Sequence, residues 1–405
     1  MAAVIVVVLL VAAGMYICGR WARAPPTGDD GSDGEPVVRT NESTFSVYLG
    51  ALDPEPSLSS VTFRIHAPGL GHADIVPTPS GPGVLTGEDV FPGIDLEYHD
   101  LDNDAAAGNG DYFNVISTNG TLLAGIWHAE LRYDGGTSGD LSFTFRALPA
   151  GTTSIAEDAD VAFIDVGQGD AELIRTSDGK YVLIDAGTAS SEDGLLAYLA
   201  GRSVTVLQAL IVSHPDADHL GGARGVLEAL EVRSVYHPGL AKGSASYEEF
   251  IAAAREEGCP IYTSGEVQAG DYLDLSVTED FRVLSINAST EANDASIVLR
   301  MTSLSRSFLF TGDAGFEVED ALCAQYAKDI DVDVLKVGHH GSRTSTSATF
   351  LAAVTPALAV IEVGTNSYGH PTEATLSRLA AVGATVVRTD QAGTYVVTSS
   401  GGTYS

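Results

Sequence analysis

A chain of 405 residues exceeds what one ordinary hydrophobic core organises, so two folded units with accessory segments are expected. Its 54 acidic against 21 basic residues give a net charge of -33, which argues against non-specific binding to nucleic acid or anionic lipid and reads as a solvated acidic surface. Cys18, Cys259 and Cys323 are far apart and form no CxxC pair, so neither a disulfide framework nor a zinc ribbon is suggested.

Met1 to Cys18, "MAAVIVVVLLVAAGMYIC", has no charged side chain and is long enough to cross a bilayer as one helix. Residues 1–23 are therefore expected to be a single-pass membrane anchor. The alternative is a cleaved signal, with an A-x-A at Ala22 and Ala24 but no basic residue ahead of the apolar run. Residues 24–43, with "APPTGDDGSDGEP", have the composition of an acidic flexible linker. From 44 to 150 the runs "VTFRIHA", "DYFNVIS", "TLLAGIWHAELRYD" and "LSFTFRAL" are β-branched and aromatic between Gly, Pro and Asp turns, which predicts a small all-β domain, a sandwich in preference to a barrel. Within it Asp100, Asp102, Asp104 and Asp111 fall at the offsets of a calcium loop. Ala105 stands where that loop needs glycine, so an acidic surface turn is the plainer reading and calcium the alternative.

From 155 to 405 apolar strands such as "YVLIDAG", "LQALIVS" and "VDVLKVG" alternate with helical stretches such as "YEEFIAAAREEG", which predicts α/β layering. "SHPDADHLGG" concentrates His214, Asp216, Asp218 and His219 where a strand ends and a helix begins. Imidazole and carboxylate converging on a rigid strand end are the donors that bind divalent metals. Two further strand ends offer Asp313, in "FLFTGDAG", and His339 and His340, in "VLKVGHHGS".

Taken in order, "FIDVGQGDAELI", "YVLIDAG", "SHPDADHLGG", "NDASIVLRM", "FLFTGD", "VLKVGHHGSRTSTS", "NSYGHPT" and "VVRTDQAGTY" resemble the metallo-β-lactamase superfamily, and more narrowly the metallohydrolase domain of ComEC-type DNA-uptake proteins. The resemblance spans residues 160 to 400 and implies an αββα sandwich. It does not reach the β domain or the N-terminal segment.

By position it implies two divalent ions, zinc or manganese: His214, Asp216 and His340 or His339 at one, Asp218 and His219 at the other, and Asp313 bridging. The carboxylate of Asp216 stands where the superfamily often has histidine. A further histidine is usually supplied before the bridging aspartate, and only His237 lies in that interval, where it could equally close a turn. Asp185 is implied to orient a ligand histidine; Asp165 and Asp170 share that role or form turns around Gly167 and Gly169. Asp218 doubles as ligand and base for a metal-activated water, His370 contacts phosphate or the leaving group, and Ser342 and Arg343 hold phosphate.

The resulting expectation is a membrane-anchored metal-dependent hydrolase, a phosphodiesterase or nuclease acting on a small phosphodiester or a short strand. No tight binding of extended duplex is expected, since basic residues are sparse. The alternatives are hydrolysis of esters, lactones or amides, and a non-catalytic adhesion module. Arg20 and Arg23 favour a cytoplasmic bulk, whereas the family resemblance and the N-x-S/T sites at Asn41, Asn119 and Asn287 favour an extracytoplasmic one, which is adopted here.

Overall fold

The computed structural model describes residues 158–399 apart from 288, 304–305 and 327–329, together with the strands that lie between residues 6 and 147. The chain divides into two units, Met1–Ser154 and Ile155–Ser405.

The first unit contains two six-stranded sheets whose pairings are antiparallel. The expected N-terminal helix is replaced by two strands, Val6–Leu10 and Met15–Gly19, which pair with Val6 opposite Gly19. Met15 and Tyr16 continue that sheet onto Ala147 and Arg146. Val6, Val7, Val8 and Ile17 are β-branched, stiff at χ1 and as much at home in a strand as in an apolar helix. Among the described residues no helix is long and apolar enough to cross a membrane. The calcium-loop aspartates lie outside the described residues, as does the linker except for the strand Val38–Thr40.

Two mixed sheets form the second unit. One runs, edge to edge, Ile261–Tyr262, Val235–Tyr236, Ala209–Ile211, Tyr181–Ile184, Glu172–Arg175, Asp160–Phe163 and Tyr395–Thr398. The other runs Asp280–Ser285, Val298–Thr302, Ser307–Phe310, Val334–Lys336, Leu358–Ile361 and Thr385–Arg388. Each combines antiparallel neighbours with a parallel half, as in Tyr181–Ile184 beside Ala209–Ile211 and Ser307–Phe310 beside Val334–Lys336. Parallel neighbours need crossovers, and helices supply them.

Alternation along each strand sorts side chains into layers. Val161, Phe163, Val182, Ile184, Phe308, Phe310, Val334 and Val360 fill a core containing residues of both sheets. Ala162, Leu183 and Leu210 face outward with Leu195, Val226 and Phe250 of the helices Glu192–Gly201, Ala223–Ala229 and Ala245–Glu257. Leu309, Leu335 and Ala359 do the same against Leu322, Phe350 and Leu379 of Phe316–Tyr326, Ala348–Val354 and Glu373–Ala381. The layering is αββα, in keeping with the α/β expectation.

Three charged residues share the inward phase at one end of this core. Lys336 follows Val334, Glu172 precedes Ile174 and Glu362 follows Val360 at two-residue spacing, and all three are buried with Asp170. The Lys336 ammonium pairs with Asp170 and donates to the Gly312 carbonyl at 3.2 Å. Burial pushes the Asp170 carboxyl up, but Lys336, His340 and His219 outweigh it and hold the group below its ordinary range. Glu172 and Glu362 have no such cation of their own. Burial and then the neighbouring carboxylates raise both, Glu362 to about 8, so this pair retains a proton.

Replacing Lys336 with methionine leaves Asp170 as an uncompensated buried charge and is expected to cost about 3–5 kcal/mol in urea unfolding, with much of it recovered by adding Asp170→Asn. The retained proton sets a pH dependence. The folded state binds it and the unfolded chain releases it above 4.5, so the stability of the metal-free chain falls as pH rises from 4.5 to about 8. Urea midpoints are expected to lose the Glu362 part of this slope in Glu362→Gln, while His219 and His340, raised above 6.5, keep their own contribution to the fall above that pH.

Candidate metal centre

The parallel strands carry the functional residues at their C-terminal ends, where open α/β sheets present ligand sites. Tyr181–Ile184 ends on Asp185, and Ala209–Ile211 leads into Ser213 and His214. The short helix Ala217–Leu220 carries Asp218 and His219. From the second sheet, Ser307–Phe310 leads to Asp313 and Val334–Lys336 to the turn Gly338–Gly341 with His339 and His340.

Two glycines bring these ends together. A Cβ on Gly222 would fall 2.5 Å from the Ala186 carbonyl, so only glycine lets the segment after His219 rest on the Asp185 turn. Gly341, at φ +80°, lies against Pro371, where a Cβ would come within 2.5 Å of the proline ring, and this seats the His370 loop beside His339. Asp185, His339 and His340 are themselves left-handed, at φ 53°, 52° and 51°. Such backbone is costly for a residue with a side chain and is characteristic of functional sites.

Buried carboxylates and carbonyls orient the imidazoles. Asp185 accepts from the Ser213 amide at 2.7 Å, the Ser213 hydroxyl at 2.6 Å and His219 Nδ1 at 2.7 Å. Since the Ser213 hydroxyl is committed to Asp185, its oxygen accepts from His214 Nδ1 at 3.1 Å. His340 Nδ1 donates to the Glu362 carbonyl at 2.9 Å and lies 3.1 Å from Asp170. In all three rings Nδ1 is engaged and Nε2 is turned inward, the arrangement a metal ligand needs once a cation displaces any proton from Nε2.

Asp313 is the hub of these nitrogens. His219 Nε2 is 3.3 Å from it, His340 Nε2 3.8 Å and His214 Nε2 3.9 Å, and Asp218 lies 3.3 Å from His340 Nε2. The ligand atoms of His214, His219 and Asp313, and those of Asp218, His219 and His340, lie within 4.8 Å of one another. His214 Nε2, His219 Nε2, His340 Nε2 and one Asp313 oxygen are buried without a hydrogen-bond partner. Orphaned polar atoms are expensive inside a protein, and divalent metal bound among these donors would satisfy them. Electrostatics agree. Burial lowers His219 and His340, but Asp313 and the carboxylates beside it reverse this and raise both, His340 to about 10; burial then dominates at His214, which is held well below 6.5. Asp313 is held well below the carboxylate range, burial notwithstanding, chiefly by His219 and His340.

Other expected residues fall outside this cluster. Asp216 occupies the N-cap position of the helix Ala217–Leu220 without a side-chain capping bond, and its carboxylate pairs with Lys242. His237 accepts the Gly239 amide at 3.1 Å and packs edge-on against Tyr247 and Phe250, so it closes a turn. His339 accepts from Asn293 at its Nδ1, 3.3 Å away, and its Nε2 lies 3.6 Å from Asp313. Asp165 is exposed and holds the Gly167 amide in a turn, whereas Asp170 is buried against His219 and His340. Ser342 is buried, its hydroxyl occupied by Thr344 and its carbonyl by Thr375, so it does not face a phosphate site. Arg343 is exposed and close enough to His370 for its charge to bear on that ring. His370 is half-buried, edge-on to His339 at 5.5 Å, with Nδ1 unpartnered.

Lys336, Glu172, Glu362 and Ser213 were not singled out by sequence reasoning. Three of them carried a readable signal: a single charge in the inward phase of otherwise apolar strands.

The metallo-β-lactamase superfamily model matches residues 164–363. ComE operon protein 3 of Bacillus subtilis is 33% identical over 286 residues, 66% of this chain and 36% of that protein. Competence protein ComA of Neisseria gonorrhoeae is 33% identical over 258 residues, 63% of this chain and 34% of that protein. The chain thus spans about a third of the length of these curated relatives. Among solved structures, a metallo hydrolase of the archaeon Ignicoccus hospitalis aligns with 59% of this chain and 98% of its own at 14% identity, with a TM-score of 0.39. Residues 164–363 of the second unit therefore form a metallo-β-lactamase domain of the type found in the competence proteins.

Proposed function

We propose that this domain is a divalent-metal-dependent phosphodiesterase that cuts single-stranded nucleic acid. The observation that carries the reading is the set of buried, unpartnered donors gathered around Asp313. Competence naming among the relatives supports a nucleic-acid substrate over an ester or lactone.

His214, Asp218, His219, Asp313 and His340 would hold the cation, which can be zinc or manganese given this mixture of imidazole and carboxylate. His219 belongs to both triads and offers one lone pair, while Asp216, His237 and His339 are engaged elsewhere. The donor set therefore fits one tightly held ion per chain in place of the two that the sequence suggests. When bound, the cation supplies the Lewis acidity that makes water a nucleophile near neutral pH and offsets charge on phosphoryl oxygens.

The chain's own residues do the remaining work. Burial raises the Asp218 carboxyl, but His340 and His219 override it and keep the group ionised; being partly exposed, it can accept a hydrogen bond from the attacking water at the mouth. Burial, then His339 and His340, lowers His370, so it meets the substrate as a neutral ring able to donate one N–H to a phosphoryl oxygen. Arg343, exposed beside it, offers its fork to the same phosphate. Water adds its oxygen to phosphorus, one ester P–O bond breaks, and the products are a phosphomonoester and an alcohol.

Chelator-stripped full chain, reloaded with manganese or zinc, is expected to hydrolyse bis-p-nitrophenyl phosphate and a labelled single-stranded oligonucleotide, and Asp313→Ala to abolish both. Absence of metal-dependent turnover on either substrate ends the phosphodiesterase reading. Elemental analysis is expected to give about one ion per chain. Asp185→Asn leaves the ligands in place but loosens His219 and is expected to weaken metal affinity about 10–100-fold by competition with a chelating dye. His370→Ala is expected to lower kcat/KM about 10- to 100-fold, the worth of one hydrogen bond to a charged group.

A further inference from the structure

Tyr368 is 72% exposed, against 38% for Phe316 and 37% for Val382, the other large apolar side chains exposed among the described residues. It sits at the tip of a built loop. Asn366 Oδ1 accepts the amides of Tyr368, Gly369 and His370 at 3.0–3.1 Å, and its Nδ2 donates to the carbonyls of Gly364 and His370 at 2.9 Å. One side chain thus pins the loop at five points and fixes where the tyrosine stands. The ring stacks on His370, with centroids 5.7 Å apart and planes at 29°. His370 in turn meets His339 edge-on, and His339 contacts Asp313. A ladder of rings therefore leads from solvent to the hub of the metal centre.

We propose that Tyr368 is a stacking platform for a nucleobase, so that the substrate of the centre is a base-bearing single strand held by one or two nucleotides at its mouth. This rests on the phosphodiesterase reading and deepens it. The acidity of the chain is consistent with the proposal. A polyanion brought to a protein of net charge -33 cannot be held by a long cationic groove, since each phosphate contact needs a basic partner. Stacking attracts a base through its π face and does not depend on the sign of the protein's charge. With His370 stacked on the ring and Arg343 close enough to His370 for its charge to bear on it, one phosphate and the base next to it can be engaged together. Duplex does not fit, because its bases are already stacked on one another.

The test uses the full chain with manganese and a short oligodeoxynucleotide carrying 2-aminopurine, whose fluorescence is quenched on stacking. Wild type is expected to quench it on binding, Tyr368→Trp to retain the effect, and Tyr368→Ala to lose it together with about tenfold in affinity. An unchanged melting temperature in Tyr368→Ala excludes a folding defect at this exposed position. In turnover, wild type is expected to prefer the normal oligonucleotide over an abasic one by about tenfold in kcat/KM, and Tyr368→Ala to show no preference. Equal quenching, or equal preference, in wild type and Tyr368→Ala overturns the proposal, as does no quenching by wild type. If quenching follows Tyr368 but nothing is hydrolysed, the phosphodiesterase reading falls and the platform stands; if bis-p-nitrophenyl phosphate is hydrolysed while quenching ignores Tyr368, the platform falls and the hydrolase stands.

Discussion

The ion pair of Lys336 and Asp170 is the constraint on which the centre depends. It joins the two sheets across 166 positions of sequence and lies wholly out of water. Asp170 touches both His219 and His340, so the ammonium beneath it fixes the carboxylate that steadies one ligand from each half of the domain. A buried pair of this kind contributes little net stability compared with a hydrocarbon packing of equal volume. Its role is to hold position: the charge cannot wander, because every alternative leaves an unpaired ion in the core.

Above that pair the architecture proceeds by delegation. Asp185 fixes Ser213 and His219, Ser213 fixes His214, and the Glu362 carbonyl fixes His340. Each imidazole thereby has its inner nitrogen spoken for before a metal arrives. Tuning follows the same order, since the carboxylates that orient the histidines also supply the negative potential that favours a cation.

Much of the layered fold could be read from the chain because its strands are short, apolar and bounded by glycine, and because donors cluster at their ends. "SHPDADHLGG" announced its chemistry by composition alone. What could not be read was how each side chain is spent. Asp216 stands two positions from His214, as a ligand should, yet a lysine 26 residues downstream captures it. His339 and His340 are adjacent in sequence, and only the Asn293 amide, on a distant loop, distinguishes the donor ring from the other. The N-terminal apolar run met a different limit, because β-branched residues serve a bilayer helix and a sheet equally well by hydropathy. Lys336, Glu172 and Glu362 did leave a signal, a charge in the inward phase of an apolar strand, but its meaning depends on the opposing sheet that covers it.

The division of the donors between the two sheets bears on when the chain becomes competent during synthesis. His214, Asp218 and His219 leave the ribosome well before Asp313, and His340 follows later still. No nascent fragment that stops short of the Gly338–Gly341 turn contains the whole donor set, which is complete only after both sheets have met. The candidate site is thereby left incomplete until translation has carried the chain past His340.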